Sequence, residues 1–284
     1  MNTKSKNLTF LLRMGFVAAA SIFLSHSATA QITPVNYGTA SSYSVLSGAG
    51  ITFAATGPST ITGNIGSFPT LSITGVPANV IFTVGLSQNQ AGGALTQSAK
   101  TDLSIAFPIA AGEAVNTTLS GGDNQLGGQT LLPGVYLLPA AATANLIGTL
   151  TLDPNGELNP VWIFEATSTL VTASNSSVIL DPGVVPCDVV WVVGSSATLG
   201  TGTNFSGTII ASASITLNPN VTLTGRAWAQ TGAVTLDEDT VTGLTSTSIG
   251  NPAVSVPDSV GTLLLLAGGL AALLGFGRRF RALV

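Results

Sequence analysis

A phrase of four residues recurs along this chain: small or polar residues, then an apolar residue, then a threonine. It occurs at Ser59–Thr62, Gly148–Thr151, Thr169–Thr172, Ser195–Thr198, Ala213–Thr216 and Gly232–Thr235. The last four of these threonines lie roughly 18 to 26 residues apart, a spacing typical of the coils of a solenoid. Because strand side chains alternate between two faces, the apolar residue and the threonine point in opposite directions. The repeat therefore predicts stacked coils that display a flat array, two residues wide, of small polar and methyl groups.

The scarcity of charge narrows the class of protein. Charged residues make up 7% of the 284 residues, against 45% hydrophobic residues, whereas soluble proteins usually have about 25% charged residues. The apolar residues alternate with Thr, Ser and Gly, and long apolar runs occur only at the two ends. The middle of the chain therefore indicates an all-β secreted domain, with enough core for one elongated unit.

Residues 1–30 have the organisation of a secretory signal peptide. Three basic residues precede an apolar stretch around residues 14–24, and Ala28-Thr29-Ala30 matches an A-x-A cleavage site. We expect cleavage after Ala30, so that the mature chain begins at Gln31 and its β-solenoid domain occupies residues 31–250. A retained membrane helix is the alternative, which the shortness of the segment disfavours.

Loss of this segment would restrict the chemistry of the mature domain. The only histidine, His26, lies within it, and residues 31–259 hold two basic residues, Lys100 and Arg226, against all twelve carboxylates. Such an acidic domain repels phosphate backbones, so nucleic acid is not an expected partner. Without histidine the usual catalytic triads and most metal sites are excluded. We therefore predict no enzyme activity, no cofactor and no metal site.

Three motifs have a chemical interpretation beside a simpler one. Cys187, the only cysteine, precedes an apolar run, which favours a buried thiol over a reactive one. Asp237-Glu238-Asp239 could hold a hard cation such as Ca²⁺, but no Gly-rich calcium repeat surrounds it, which favours a solvated turn. Residues 121–128 are rich in glycine but lack the Lys-Ser/Thr ending of a phosphate loop, which favours a flexible turn.

A helical pattern interrupts the strands. Apolar residues at three- and four-residue steps predict a helix over about residues 87–107, beginning near Ser87 and ended or kinked by Pro108. The members of this stripe are Ala91, Leu95, Ala99, Leu103 and Ala106. A second, bulkier strand recurs at 161–164, 189–193, 207–211 and 226–229. We expect these strands to form another face of each coil, the candidate for the face beneath the helix.

The C-terminal residues have the pattern of a membrane segment. Residues 251–259 form a linker with two prolines, and residues 260–276 are an apolar run followed by a basic cluster at 278–281. The run is just long enough to span a bilayer as a transmembrane helix. The basic cluster would then remain on the cytoplasmic side.

Several longer motifs occur in collinear order between about residues 36 and 245. They are Tyr37–Leu46, Thr60–Gly66, Leu132–Tyr136, Val161–Phe164, Val193–Gly202, Phe205–Ala211, Ser214–Leu217, Gly225–Ala229 and Gly232–Asp237. Together they resemble the bacterial and fungal ice-binding proteins of the β-solenoid type, the domain also called DUF3494. The resemblance implies a right-handed, discontinuous β-solenoid of triangular section with one long α-helix packed alongside. It also implies an ice-binding face with loosely repeated T-A/G-x-T/N motifs.

The recurring phrase supplies the predicted ice-binding face. Adjacent strands lie about 4.8 Å apart and alternate residues of a strand about 6.8 Å apart, which is comparable to oxygen spacings on ice planes. Threonine adds a methyl group that orders water, a hydroxyl that anchors it and a restricted χ1 angle. The predicted pairs are Thr60/Thr62, Thr149/Thr151, Leu170/Thr172, Ser196/Thr198, Ser214/Thr216 and Ala233/Thr235, and all of these except Leu170 are predicted ice-contacting residues.

Residues 256–284 resemble the VPDSG variant of the PEP-CTERM sorting signals of Gram-negative bacteria. The matching residues are Val256, Pro257, Asp258, Ser259, Arg278 and Arg279. The resemblance implies processing by an exosortase-type sorting enzyme and transient anchoring of helix 260–276 in the inner membrane. The final location would be the cell surface, the outer membrane or the exterior.

The sequence thus predicts an exported, monomeric, non-enzymatic protein that adsorbs to ice and acts as an antifreeze or recrystallisation inhibitor. The main alternative is an adhesin or structural matrix protein without ice affinity. Sorting tails of this kind accompany extracellular polysaccharide systems, and a solenoid can serve as a surface spacer.

Overall fold

A computed structural model of the protein describes residues 32, 35–54, 56–76, 78–83, 91–120, 122–141 and 145–244. The predicted signal peptide, linker, transmembrane helix and sorting signal lie outside these residues. Within them the structure has one α-helix, α1 (Ala94–Ala110), and a series of short strands. In chain order the strands are β1 (Tyr43–Ser47), β2 (Ile51–Phe53), β3 (Ser59–Thr62), β4 (Asn64–Ser67), β5 (Ile73–Thr74), β6 (Val80–Phe82), β7 (Thr117–Thr118), β8 (Thr130–Leu131), β9 (Gly134–Leu138), β10 (Thr149–Leu152), β11 (Trp162–Ala166), β12 (Leu170–Val171), β13 (Ser177–Leu180), β14 (Val189–Val193), β15 (Ala197–Leu199), β16 (Asn204–Ala211), β17 (Ile215–Leu217), β18 (Thr222–Ala229), β19 (Val234–Leu236) and β20 (Thr240–Thr242).

The strands form three faces, and every strand pair in the described ranges is parallel. The narrow face is the six-stranded sheet β12-β15-β17-β19-β2-β5. The wide face contains β8, β10, β13, the first halves of β16 and β18, and then β20, β3 and β6. The helix face contains β7, β9, β11, β14, the second halves of β16 and β18, and β1 and β4. This arrangement gives the mostly β, parallel-stranded fold with one helix that the sequence predicts.

A pair of glycines turns the chain from the wide face to the helix face. Gly207 and Gly225 are register partners in β16 and β18, and their φ angles are 114° and 154°. A Cβ atom on Gly225 would lie 1.8 Å from the carbonyl oxygen of Gly207. Only glycine allows two adjacent strands to bend together at so close an approach.

The order of the coils is discontinuous along the chain. The strands of the last C-terminal coils pair with strands from the N-terminal part: β19 with β2, β20 with β3, and β18 with β1. The N-terminal strands therefore extend both the narrow face and the wide face beyond the last C-terminal strands. This agrees with the discontinuous topology expected from the resemblance.

The interior is packed by the apolar residue of the recurring phrase and by a ladder of aromatic rings. Ile61, Leu150, Ala197, Ile215 and Val234, which precede five of the six threonines, are at most 1% exposed, as predicted. In neighbouring coils, rings of the helix face and wide face pack with centroid distances of 4.1 to 5.5 Å. The ladder is Tyr136, Phe164, Trp191 and Phe205. These contacts give a rigid backing to the outer faces.

Helix α1 covers the face built from the bulkier strands, as the sequence indicated. Ala99, Leu103 and Ala106 are fully buried against apolar side chains that point outward from the sheet, including Val190 and Trp228. Small alanines allow this close approach of helix and sheet. The covering helix explains why this face can carry large apolar residues on its outer side.

The ends of α1 differ from the prediction. The helix begins at Ala94 rather than near Ser87, because Gly92 takes a left-handed φ of 71° just before it. Leu95 is 63% exposed and does not belong to the buried stripe. Pro108 lies in the last turn of α1, which continues to Ala110.

Lys100 fastens the helix to the sheet. Its side chain is buried, and its Nζ donates hydrogen bonds of 2.6 Å to the carbonyl oxygens of Ala229 and Gln230 at the end of β18. Burial lowers the pKa of Lys100 to about 8. Gln230 in turn donates through Nε2 to the carbonyl oxygen of Leu103 on the helix. Helix and sheet are thus joined by polar contacts as well as by apolar packing.

Candidate functional site

The structure separates the predicted array into two faces and an interior residue. The pairs Thr60/Thr62 and Thr149/Thr151 lie on the wide face, in β3 and β10. The narrow face holds Ser196, Thr198, Ser214, Thr216, Ala233 and Thr235, in and just before β15, β17 and β19. A single array of all six pairs is therefore wrong. The phrase marks an inward apolar residue followed by an outward threonine, but it does not say which face of the coil carries it.

Thr172, which the sequence places on the outer face, is buried in the structure. Leu170 pairs with Ala197 and Val171 with Thr198, so Val171 takes the outward position and Thr172 points inward. Thr172 is 3% exposed, and its Oγ1 accepts a hydrogen bond of 2.9 Å from the backbone N–H of Gly200. Its hydroxyl also lies 3.0 Å from Oγ1 of Thr203. The prediction that Leu170 and Thr172 face outward is wrong, because alternation is one residue out of step in this coil.

An unbroken column of five threonines runs across the narrow face. The register joins neighbouring strands at equivalent positions, and the column begins beside Val171. Its members are Thr198, Thr216, Thr235, Thr52 and Thr74. The first three are half-buried and the last two exposed. The coil discontinuity is what brings the two N-terminal threonines into line with the three C-terminal ones.

A second column of smaller residues runs beside the threonines. It consists of the residue two positions earlier in each strand, namely Ser196, Ser214, Ala233, Gly50 and Ser72, whose carbonyl oxygens continue the ladder between strands. None of these residues is charged or large. The narrow face is therefore a flat strip with one column of threonines and one column of serine, alanine and glycine.

Two threonines of the column were not among the predicted residues. Thr52 and Thr74 follow the isoleucines Ile51 and Ile73, so both carry the apolar-threonine ending of the phrase. They lie roughly 160 residues from the C-terminal repeats. The search for repeats depends on regular spacing along the chain, so it does not assign these two threonines to the column. Only the pairing of β19 with β2 shows that they belong to the same strip.

The hydroxyls of the narrow face make few bonds within the protein. Thr74 Oγ1 donates to Thr52 Oγ1 at 3.3 Å, and Ser196 Oγ accepts from the backbone N–H of Ser214 at 3.3 Å. Among the described residues, the hydroxyls of Thr198, Thr216 and Thr235 have no hydrogen-bond partner. The threonine column thus offers hydroxyl and methyl groups to whatever lies above it.

The wide face carries a second pattern of threonines, two residues wide. Three neighbouring rungs are in register: Thr222 and Thr224 of β18 pair with Thr240 and Thr242 of β20, which pair with the two threonines of β3. Away from this block the columns are mixed. They continue through Asn204, Ser206, Ser177, Ile179, Thr149, Thr151 and Thr130.

Neither of the two basic residues of the central domain belongs to a threonine column, although Arg226 follows Thr224 by two residues in β18. Lys100 belongs to α1, and Arg226 is fully buried, with its guanidinium carbon 5.4 Å from the ring centroid of Trp228. Arg226 also donates to the carbonyl oxygen of Leu244 at 3.2 Å, and burial lowers its pKa to about 10. The threonine columns therefore lack positive charge, which agrees with the uncharged array that the sequence indicated.

Two other candidate motifs are the acidic segment 237–239 and Cys187, and both are at least partly buried in the fold. Asp239 is 1% exposed and accepts backbone N–H bonds from Val221 and Asp237 at 2.8 and 2.7 Å, so the prediction of a wholly solvated acidic turn is wrong. Burial raises the pKa of Asp239 to about 7, against the lowering by these two N–H groups. Cys187 is half-buried in a 3-10 turn before β14. In the described ranges no cluster of His, Cys, Asp and Glu could hold a metal ion.

Comparisons of the sequence with known proteins identify a matching family and relatives that are ice-binding proteins. The family model described as Ice-binding-like matches residues 45–242. An ice-binding protein of Nostoc sp. (strain HG1) is 41% identical over 268 residues, which cover 93% of this chain and 94% of that protein. An ice-binding protein of Colwellia sp. is 32% identical over 248 residues, which cover 84% of this chain and 93% of that protein.

Solved structures of ice-binding proteins share the architecture. The crystal structure from the Antarctic ascomycete Antarctomyces psychrotrophicus has a TM-score of 0.67 and 36% identity, and the match covers 75% of this chain and 100% of that one. The crystal structure from an Antarctic biological consortium has a TM-score of 0.66 and 35% identity, covering 74% of this chain and 90% of that one.

Proposed function

Since the chain belongs to the ice-binding-like family, we propose that it is an ice-binding protein that acts as an antifreeze or recrystallisation inhibitor and adsorbs to ice through its narrow face. The observation that supports this surface most strongly is the unbroken column of five threonines in consecutive rungs. An ice lattice is a regular solid, so a ligand-binding surface that repeats at each strand is the kind of surface that it can match.

The spacing of the strip supports adsorption to a lattice. Neighbouring strands repeat about every 4.8 Å, and the serine-alanine-glycine column lies about 6.8 Å from the threonine column along each strand. Both repeats are comparable to oxygen spacings on ice planes. A threonine hydroxyl can donate and accept a hydrogen bond, while its methyl group orders the neighbouring water. Ordered water on such a strip can merge with the surface layer of an ice crystal.

The rigidity of the strip also supports this role. Beneath the threonines lie Ala197, Ile215, Val234 and Ile51, which are at most 1% exposed and pack into the interior. The β-branched threonine side chain has few χ1 states available. Little conformational entropy is therefore lost when the surface meets a rigid solid, which favours binding.

The motifs of the narrow face match the family pattern T-A/G-x-T/N in part, since each ends in threonine but none begins with it. Ser195–Thr198, Ala213–Thr216 and Gly232–Thr235 each place a small residue before the apolar residue and a threonine at the end. These three segments lie in neighbouring strands of the narrow sheet. The wide-face pairs of the phrase, Thr60/Thr62 and Thr149/Thr151, do not adjoin them. We therefore assign the main ice-binding role to the narrow face.

We also propose several features of the molecule that the sequence predicts. The coils are right-handed and triangular in section, and the protein is a non-enzymatic monomer. Residues 1–30 direct export, and residues 256–284 anchor the chain transiently in the inner membrane until an exosortase-type enzyme processes them. Export supports the function, because ice forms outside the cell before it forms inside.

A steric block tests the assignment. In the variant Thr216→Tyr a large ring stands at the centre of the threonine column and lifts it off a flat surface. We expect thermal hysteresis to fall below the wild-type value and the shape of the ice crystals to change. Thr101→Tyr is the matched control, since Thr101 is exposed on α1, away from both threonine faces. Equal activity in wild type and Thr216→Tyr would contradict the assignment of the narrow face.

Absence of ice shaping and thermal hysteresis in the wild-type protein would contradict ice binding itself. Binding of extracellular polysaccharide by the same protein would then favour the adhesin alternative. Retention of a cooperative unfolding transition in both variants is the control for folding.

A further inference from the structure

We propose that the wide face is a second ice-binding surface, centred on the six threonines Thr60, Thr62, Thr222, Thr224, Thr240 and Thr242, here called the threonine grid. This inference rests on the proposed function, because it extends ice binding from one face of the coils to another. It assigns a role to threonines of β18 and β20 that lie outside the recurring phrase.

The register of three neighbouring strands builds the grid. Thr222 pairs with Thr240 and Thr240 with Thr60, while Thr224 pairs with Thr242 and Thr242 with Thr62. Each strand thus places threonine in both outward positions of its rung. The grid repeats about every 4.8 Å across the strands and about 6.8 Å along them, the same two distances as on the narrow face. Its two columns are more uniform than those of the narrow face, where one column consists of serine, alanine and glycine.

The grid is open and firmly backed. Thr222, Thr240 and Thr242 are exposed, and the other three members are half-buried. The residues between the columns, Leu223, Val241 and Ile61, are fully buried. Three rungs of methyl and hydroxyl groups are therefore presented on a backing that cannot shift.

The hydroxyls of the grid remain largely available. Thr62 Oγ1 lies 2.8 Å from Oγ1 of Thr83, which continues the column into the next coil. Within the described residues the side chains of the other five members make no hydrogen bond to the protein. Hydroxyls that are exposed and not bonded within the protein must bond to solvent, so the grid imposes its spacing on water.

The chemistry of the grid favours ice over a protein partner. Protein interfaces concentrate their binding energy in Trp, Tyr and Arg side chains, and the grid has neither aromatic nor charged residues. The nearest exposed large apolar side chain in a paired strand is Ile81, beside Thr60 at the margin of the grid. A repeating, uncharged lattice of hydroxyl and methyl groups suits an extended lattice of water.

The position of the grid has a consequence for ice growth. The wide face and the narrow face are built from different segments of the same coils. Two adsorbing faces on one molecule can engage different ice planes, or two neighbouring crystals. The structure therefore leads us to expect affinity for more than one plane.

Ice-plane affinity of single and double variants tests the inference. The full chain, labelled with a fluorophore at its amino terminus, is adsorbed to hemispheres of single-crystal ice. The variants are Thr216→Tyr on the narrow face, Thr242→Tyr on the grid and the double variant, with Thr101→Tyr as control. We expect each single variant to lose a different subset of the labelled planes and the double variant to bind none. Thr222→Tyr replaces Thr242→Tyr if the latter fails to unfold cooperatively.

The outcomes separate the two proposals. If Thr216→Tyr abolishes all labelling, or if adding Thr242→Tyr changes nothing, the second surface is refuted while ice binding through the narrow face stands. If wild type labels no plane, ice binding itself is refuted. If Thr242→Tyr alone abolishes all labelling, the grid is the sole binding surface, and the inference of two independent faces is overturned.

Discussion

The narrow face and the helix face use the same coils in opposite ways. The outward residues of the helix face are large and apolar, such as Val190, Ile210 and Trp228, and all are at most 1% exposed because α1 covers them. At the equivalent outward positions of the narrow face lie threonines that are half-buried or exposed. The polarity of the outward side chains thus decides whether a face of the solenoid is buried under another element or remains in contact with water.

The energetic reason for this difference is simple. Apolar side chains gain free energy when a helix removes them from water, at roughly 25 cal/mol per Å². The hydroxyl of an exposed threonine is hydrogen-bonded to water, and the side chain has only one methyl group. Covering it would gain little free energy and would leave the hydroxyl without a hydrogen-bond partner. The helix face therefore contributes stability, and the narrow face remains open for a ligand. Variants on the two faces should affect different properties, and the largest changes in stability should come from the helix face.

The strongest expected effect on stability is that of Trp228→Ala. Trp228 is fully buried, its ring contacts Tyr37 edge-on at 5.0 Å, and its Nε1 donates to the carbonyl oxygen of Tyr43 at 2.9 Å. Loss of the ring should lower the free energy of unfolding by about 3–5 kcal/mol. Urea denaturation measures the loss. Thermal hysteresis per folded molecule should remain unchanged, and a parallel loss of both properties would show that the two faces are not separate.

Lys100→Met should have the next largest effect. The variant keeps the apolar stem but removes the ammonium that binds the carbonyl oxygens of Ala229 and Gln230. Hydrogen bonds to charged groups contribute about 1.5–3 kcal/mol each, but burial of the ammonium offsets part of this gain, as the lowered pKa of Lys100 indicates. The free energy of unfolding should therefore fall by about 1–3 kcal/mol, because two buried carbonyl oxygens lose their donor. Hydrogen exchange should be faster in α1. Thr101→Met, one residue away and exposed, is the control, and equal stability of the two variants would refute the fastening role of Lys100.

Two threonines that end the same phrase should behave differently. Thr172→Val deprives the backbone N–H of Gly200 of its buried acceptor, and should lower the free energy of unfolding by about 1–2 kcal/mol. Thr198→Val removes a hydroxyl from the narrow face and should change stability by no more than about 0.5 kcal/mol. Chemical denaturation and thermal hysteresis together check this pair. Thr198→Val should weaken ice binding and Thr172→Val should not, and the reverse result would contradict the placement of both residues.

The sequence predicted local features of the fold more reliably than the assembly of its faces. Alternation correctly predicted that Ile61, Leu150, Ile215 and Val234 point inward, because period 2 is a property of any strand. The bulk of the recurring strands correctly predicted the face beneath the helix. Family membership, expected from collinear motifs, is confirmed by the match over residues 45–242.

What sequence reasoning missed depends on contacts between distant segments. The phrase in β3 and the phrase in β19 are alike, yet the first lies on the wide face and the second on the narrow face. Position around the coil is set by the corners, not by the four residues themselves. Thr52 joins the narrow face only through pairing of β2 with β19, and Thr172 turns inward only because Val171 is in register with Thr198. No pattern within one segment contains this information.

The most direct test of the central claim is whether the protein partitions into growing ice. A dilute solution of the full chain is frozen slowly on a cold probe, and the protein in the ice is compared with that in the remaining liquid. We predict that wild type is enriched in the ice. A folded variant with four substitutions should be excluded from the ice. The substitutions are Thr198→Tyr, Thr216→Tyr and Thr235→Tyr on the narrow face and Thr242→Tyr on the wide face. Exclusion of the folded wild type, to the same extent as an ordinary soluble protein, would contradict the claim that its uncovered threonine faces bind ice.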